Sequence, residues 1–249
     1  MNKRLKLTMV IPALNEAENL VLLFPRFRQA AALLREQEVD AELVLVDDGS
    51  SDETAEIARR NGAVVISHPF NLGVCAALHT GFLYAVKNQS DILITVDADG
   101  QHNPEDINDL VAEFNRRRVD VLIGSRFVKD TGYKKSAFRF AGIKMFSALV
   151  YSLTKLTVHD VTSGFRVFGQ RAVRFLAANF PQEYPDAEIL ILLHKSGFRI
   201  EEYALSMNPR LFGTSQHNFK TAVVYPFKNL IAIIVVLLRT FRQKRRVSV

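Results

Sequence analysis

Ile92-Leu93-Ile94-Thr95-Val96-Asp97-Ala98-Asp99-Gly100-Gln101-His102 is the stretch on which the reading of this chain turns. Its apolar and β-branched opening reads as a buried strand, which ends in two aspartates spaced i, i+2 before a glycine. A buried strand that opens into paired carboxylates is costly unless positive charge meets it. A hard divalent cation carrying a diphosphate would offset that cost, because Mg2+ and Mn2+ prefer carboxylate, carbonyl and water oxygens. The competing reading is an acidic turn capping a helix that starts near Pro104, and a lone Asp-x-Asp does not decide between them.

Outward from this point the chain alternates strand-like and helix-like runs. Strands are predicted over 7–11, 42–46, 64–67, 91–96 and 119–123. Helices are predicted over 17–35, 52–60, 73–87 and 104–117, the second with Ser51 or Asp52 near its N-cap. Such alternation implies βαβ units, so the fold class is α/β, with a Rossmann-like, mostly parallel sheet flanked by helices. In open sheets of this kind ligands sit at the carboxyl ends of the strands. Asp47-Asp48-Gly49-Ser50, Asp97-Ala98-Asp99 and Gly124-Ser125-Arg126 all fall at such ends. Asp47 and Asp48 also suit a helix N-cap. No G-x-G-x-x-G follows the first strand, which speaks against a dinucleotide-binding domain.

The 249 residues, 48% of them hydrophobic, suffice for one large core, expected as a single domain over 1–220 with an appendage over 221–249. The single cysteine, Cys75, excludes an internal disulfide and fits a reducing compartment. Residues 1–6 are polar and basic and the next run stops at Pro12, so no leader peptide is expected. The net charge of +6 is unevenly placed. Arg239, Arg242, Lys244, Arg245 and Arg246 crowd the C-terminus, and Lys129, Lys134, Lys135, Arg139 and Lys144 cluster mid-chain. Such patches attract nucleic acid or an anionic membrane surface. Both adjoin strongly apolar helices and neither is interleaved with aromatics, so a membrane is expected and nucleic acid is not. Residues 136–156 begin basic and aromatic and then turn apolar, as an amphipathic interface segment would. Residues 223–238 are more apolar still, but their uninterrupted run, 230–238, is about half the ~20 residues a span needs. A peripheral interfacial helix with a basic tail fits better. A buried core helix or a homo-oligomer contact is the alternative for both segments.

Taken together, Val10-Ile11-Pro12-Ala13-Leu14-Asn15-Glu16, the run 44–52, the run 96–102, Gly124-Ser125-Arg126 and Thr162-Ser163-Gly164-Phe165-Arg166 resemble family 2 glycosyltransferases. The resemblance is to the dolichol-phosphate mannosyltransferase and polyprenyl-phosphate glycosyltransferase branch, runs to about Gln216 and keeps the family's motif order. It implies a GT-A fold, a nucleotide-diphosphate sugar donor, a divalent cation (Mg2+ or Mn2+) and inversion at the anomeric carbon. It places Pro12, Leu14 and Glu16 against the base, Ala98 beside the nucleotide, and Asp48 on the base or ribose. Asp97 is implied to meet ribose and metal, and Asp99 and Gln101 the metal, which stabilises the leaving diphosphate as a Lewis acid. Arg126 is implied to reach a phosphate, which guanidinium geometry suits. Arg139 resembles the arginine that holds the lipid phosphate, though a solvated surface arginine reads the same. Arg210 begins a segment that resembles the flexible loop over the donor diphosphate. Leu14 stands where many relatives carry Tyr, which weakens stacking on the base. Gln216 stands where many carry Lys, and Val161 where many carry Pro. His102 reads as a packing or helix-start residue, and Arg166 as a structural partner of Asp160 or an active-site carboxylate.

The chemistry depends on the acceptor. A lipid monophosphate, with a second pKa of about 6, is already largely ionised near neutral pH and needs positioning rather than a base. A sugar hydroxyl needs proton removal, and Asp186 and Glu188 lie where family members with hydroxyl acceptors place that base; both also suit a helix start. The expectation is transfer of one sugar to polyprenyl phosphate on the cytoplasmic membrane face, in cell-envelope glycan synthesis. Transfer to a sugar hydroxyl of a lipid-linked or cell-surface glycan precursor is the alternative. The chain has no Trp and hence no Gln-x-x-Arg-Trp, which argues against a processive polysaccharide synthase. A sugar-phosphate nucleotidyltransferase would need a basic glycine-rich loop after the first strand, which is missing. A membrane-surface scaffold with a degenerate site is disfavoured by the intact Asp97, Asp99 and Arg126.

Overall fold

The computed structural model describes residues 4–128, 137–181, 185–208 and 210–212, with backbone alone for 137–144, 146 and 185. In it the apolar runs become strands buried on both faces. β1 (Leu5–Ala13) turns Leu7, Met9 and Ile11 to one side and Val10 to the other, all shielded from solvent. β2 (Val39–Asp47) sets Leu43 and Leu45 against Val44 and Val46 in the same way. Continuous rather than alternating apolar character is what a sheet covered on both sides requires. α1 (Ala17–Glu36), α2 (Thr54–Arg60) and α4 (Asp106–Arg117) cover one face, where Leu20, Phe24, Phe27, Ala58, Ile107 and Leu110 join the core. α3 (Val74–Lys87), α5 (Ala137–Thr154), α6 (Gln170–Asn179) and α7 (Pro185–Lys195) cover the other through Phe82, Val150, Leu176 and Leu190.

β3 (Val64–Ser67), β4 (Ile92–Thr95), β5 (Val121–Ser125), β6 (Arg166–Gly169) and β7 (Ile200–Ala204) complete a seven-stranded sheet, in the order β3-β2-β1-β4-β6-β5-β7. β6 runs antiparallel to β4 and β5, and the other pairings are parallel. The chain winds outward from β1 to β3, then crosses back and lays β4 on the far side of β1. Strand order thus reverses between β1 and β4, and a crevice between their carboxyl ends is where sheets of this type hold ligands. Thr95 lies opposite Arg166, so the reversed strand begins where β4 stops.

The five expected strands and four expected helices are all present. Two details differ. α2 starts at Thr54 rather than 52, with Glu53 at the cap position and no side-chain cap bond. β6 was legible only as part of a motif, since four residues running from Arg166 to Gly169 carry no usable period. Residues 137–154 are helical as expected, but α5 packs against α7 through a partly buried stripe that includes Leu149, Val150 and Leu153. Its other side leaves Met145 and Tyr151 about half exposed. No helix among the described residues is long and apolar enough to cross a membrane. The expected interfacial segment 221–249, the side chain of Arg139, and Gln216 lie outside what the structure describes.

Candidate active site

Three loops at the carboxyl edge of the sheet are laced together before any ligand arrives. Asn15, at φ +54°, turns the chain from β1 into α1. Its N–H donates to Ser50 Oγ at 2.9 Å, and its Oδ1 accepts the Ser51 N–H at 2.8 Å. Thr54 Oγ1 accepts the Glu16 N–H at 2.8 Å, and Asp52 accepts the Ala17 N–H at 3.1 Å while its other oxygen takes the Thr54 N–H at 3.0 Å. Most polar residues of the 50–54 run therefore hold the turn that carries Glu16. Asp48 anchors the third loop. Its oxygens accept the N–H groups of Leu72 and Gly73 at 2.9 and 2.8 Å and face His68 Nδ1 at 2.8 Å, and Thr80 Oγ1 lies 2.9 Å from His68 Nε2. The residue expected to meet base or ribose is 4% exposed, and three protein donors already engage it.

Beyond β4 the two aspartates part in environment. Asp99 is 7% exposed; Oδ1 accepts the Gln101 N–H at 3.0 Å, and Oδ2 accepts from the Arg210 guanidinium at 3.0 and 3.3 Å. The same guanidinium lies 3.8 Å from Glu16 Oε1, so Glu16, Asp99 and Arg210 converge from three separate segments. Burial raises the Glu16 carboxyl above its ordinary range, partly offset by a hydrogen bond from Asn19 and the charge of Arg210, while Asp99 and Asp97 push it further up. The Asp97 side chain is 43% exposed, and its Oδ2 lies 3.0 Å from His102 Nε2. Desolvation raises the Asp97 carboxyl, but the His102 hydrogen bond and the charges of His102, Arg126 and Arg166 outweigh it and hold the group below its usual range. Gly164 backs this carboxylate: a Cβ there would fall 2.6 Å from Asp97 Oδ2. Ala98, expected beside the nucleotide, turns its side chain inward and joins the core.

Residues 205–208 and 210–212 strap this edge. Met207 bridges His102, the Asn208 N–H donates to the Gln101 carbonyl at 2.9 Å, and the Leu211 N–H donates to the Asp99 carbonyl at 3.2 Å. Asn19, 2% exposed, accepts the Phe212 N–H at 3.1 Å. Gly100, at φ +76°, lies so close that a Cβ would strike Leu211.

Arg126 stands at the end of β5, and its guanidinium forms a two-point pair with Asp160 at 2.5 and 2.6 Å and reaches Thr162 Oγ1 at 2.9 Å. Asp160, which the sequence offered to Arg166, is fully buried in that pair. Arg166 donates to the carbonyls of Val161 and Asp186 at 2.8 and 3.4 Å, bringing the first turn of α7 up to the start of β6. Glu188, in the same first turn, is buried. The structure thus assembles Glu16, Asp97, Asp99 and Arg210, with Arg126 and Arg166 in electrostatic reach of Asp97. It sets Asp48 apart in the β2 and α3 loops. Pro12 and Leu14 are partly buried at the end of β1, and Arg139 lies in the first turn of α5. Sequence reasoning missed the part played by His102, Gly164, His68 and Asn19. Only the nearness of His102 to the Asp-x-Asp pair could have hinted at it.

Comparison with known proteins bears on the family and the fold. The profile described as Glycosyl transferase family 2 matches residues 8–177. An uncharacterized protein of Methanocaldococcus jannaschii is 31% identical over 196 residues, covering 78% of this chain and 79% of its own. The polyprenol monophosphomannose synthase of Mycolicibacterium smegmatis is 27% identical over 218 residues, 83% of this chain and 79% of that protein. Glucosyl-3-phosphoglycerate synthase from Mycobacterium tuberculosis, crystallised with Mn2+ and UDP-glucose, superposes with a TM-score of 0.66 at 18% identity, over 93% of this chain and 78% of that one. That likeness confirms the expected GT-A fold. With its motifs in order along such a sheet, the chain belongs to glycosyl transferase family 2 and is a glycosyltransferase.

Proposed function

We propose that this enzyme moves one sugar from a nucleotide-diphosphate donor to polyprenyl phosphate, with inversion, at the cytoplasmic face of a membrane. The observation that carries the reading is the pair Asp97 and Asp99 at the strand-order reversal, with Arg210 already set on Asp99. Among the described residues no three His, Cys, Asp or Glu side chains form a closed metal cage. Mg2+ is usually held by one or two carboxylates and completed by substrate phosphates, so this donor set fits a divalent cation that arrives with its nucleotide. The guanidinium on Asp99 supports that fit, since the site accommodates positive charge. Asp97, Asp99 and the Gln101 carboxamide would hold the cation, which when bound neutralises the diphosphate as a leaving group. Arg210, once off Asp99, would meet the same diphosphate. Glu16 and the backbone around Leu14 and Ala98 face the nucleoside. The likeness to a synthase named for polyprenol supports the lipid acceptor, as does the exposed side of α5 with Met145 and Tyr151.

The second reading, a sugar-hydroxyl acceptor, draws on one observation: the buried Glu188 on the turn that Arg166 brings to the start of β6. Incubating purified protein with UDP- and GDP-sugars, polyprenyl phosphate and Mg2+, Mn2+ or a chelator tests the proposal. Sugar-linked lipid phosphate formed only with divalent cation is the expected product. Three variants separate the acceptors. With a phosphate acceptor, Arg139→Ala is expected to cut turnover or raise the acceptor KM roughly ten- to a hundredfold, the loss of about 1.5–3 kcal/mol from a charge-assisted contact. Asp186→Asn and Glu188→Gln should then stay within about tenfold, whereas a hydroxyl acceptor would make loss of the base cost at least ~10²-fold.

A further inference from the structure

His102 closes the Asp-x-Asp motif as a ring that sequence alone assigns to packing. It is 3% exposed, tilted against Phe165 with centroids 4.9 Å apart, and its Nε2 lies 3.0 Å from Asp97 Oδ2. An ionised carboxylate only accepts, so Nε2 carries the proton between them. The other nitrogen, Nδ1, is buried and has no hydrogen-bond partner among the described residues. Burying such an atom unpaired is unfavourable. A position kept for packing would be better served by an apolar ring, so the histidine is retained for its Nε2.

Asp97 needs what Nε2 supplies. Its side chain is 43% exposed, and the wall behind it is the bare backbone of Gly164. That wall blocks one direction without fixing the carboxylate's rotation. The hydrogen bond to His102 fixes it, engaging Oδ2 and leaving Oδ1 for a ligand. Partners that orient a ligating carboxylate in this manner contribute strongly to metal affinity without touching the metal. We propose that His102 is a positioning residue, whose Nε2–H holds Asp97 in the orientation that presents Oδ1 to the divalent cation. This rests on the reading of Asp97 and Asp99 as the cation-binding pair.

Mn2+ binding to the full chain, followed by the electron-spin signal of free Mn2+ with no nucleotide, with UDP and with GDP, tests it. His102→Gln sets an amide N–H near the place of Nε2. His102→Asn reaches only as far as Nδ1, and His102→Phe keeps the ring against Phe165 without a donor. Expected is a loss of about 10–100-fold in Mn2+ affinity for His102→Phe and His102→Asn, and near-wild-type affinity for His102→Gln. Metal-free thermal unfolding runs alongside, to confirm that each variant is folded at the temperature of the titration. Wild-type affinity in His102→Phe overturns the proposal, and so does a matching loss in His102→Gln. A wild-type chain that binds no Mn2+ under any of the three conditions removes the cation reading itself, and this proposal with it.

Discussion

At Gly164 a single added methyl group would decide where the Asp97 carboxylate can sit. A methyl group there would fall 2.6 Å from Asp97 Oδ2 and 2.8 Å from Oδ1. The atoms it meets end a short side chain that is 43% exposed, so the carboxylate can swing away at little cost to the fold. Gly164→Ala is therefore expected to melt close to wild type yet lose about 10²-fold in transfer, the scale of a 1 Å misplacement in a preorganised site. Equal losses of melting temperature and activity would contradict this. Asp99→Ala should remove divalent-dependent nucleotide binding while the chain stays folded, checked by calorimetric titration beside thermal unfolding. Glu16 gives a test in pH. Burial raises its carboxyl above the ordinary value of 4.5, so ionised Glu16 disfavours the folded metal-free state. The penalty is absent below that ordinary value, where both states are protonated, and is complete above the raised one. Glu16→Gln is accordingly expected to raise the metal-free melting temperature at pH 8 and leave it unchanged near pH 4. An increase at pH 4 as large as at pH 8 would refute that assignment.

Between elements, the pair of Arg126 and Asp160 ties the end of β5 to the loop entering β6. Asp160 is fully buried and also accepts the Arg126 N–H at 3.1 Å, while the Arg126 side chain is 11% exposed. Removing one partner of a buried pair leaves the other charge uncompensated, so Arg126→Ala is expected to cost roughly 3–5 kcal/mol in denaturant unfolding. An arginine that served only a phosphate would leave stability almost untouched. This is also where sequence reasoning reached its limit. The strands before Asp48, Asp97 and Arg126 were legible because apolar runs bounded by turn residues carry their own signal. The convergence of those three positions on one edge followed from βαβ alternation alone. The antiparallel β6 was not legible, because a four-residue strand is specified by its neighbours rather than by its own pattern. The partner of Asp160 was equally hidden: Arg126 and Arg166 stand 34 and 6 positions away, and only the insertion of β6 between β4 and β5 decides which one the carboxylate meets. His102 looked like packing because nothing in a sequence records where a ring nitrogen points.

At the scale of the whole molecule, six strands of one direction bring their carboxyl ends to a single edge, and the candidate site lies along it. If an interfacial helix and a polybasic tail supply the two signals that stable peripheral anchoring needs, the chain should float with anionic vesicles. Rising salt should release it, because charges are screened over about 8–10 Å at physiological ionic strength. A chain ending at residue 222 should float less. Equal flotation of both chains, indifferent to salt, would contradict a membrane role for the tail. The contact between Arg210 and Asp99 has a consequence for the order of events. The cleft at rest holds its own counter-ion. If Asp99 takes the cation, a bare metal ion would have to evict that guanidinium and would gain nothing for it. A metal ion that arrives with a diphosphate offers the evicted guanidinium a new partner. Each ligand would thereby favour the other, and by reciprocity the factor would be the same in both directions. The enzyme would ignore free Mg2+ and admit the metal–nucleotide complex as one unit, and its arginine would return to Asp99 when that unit leaves.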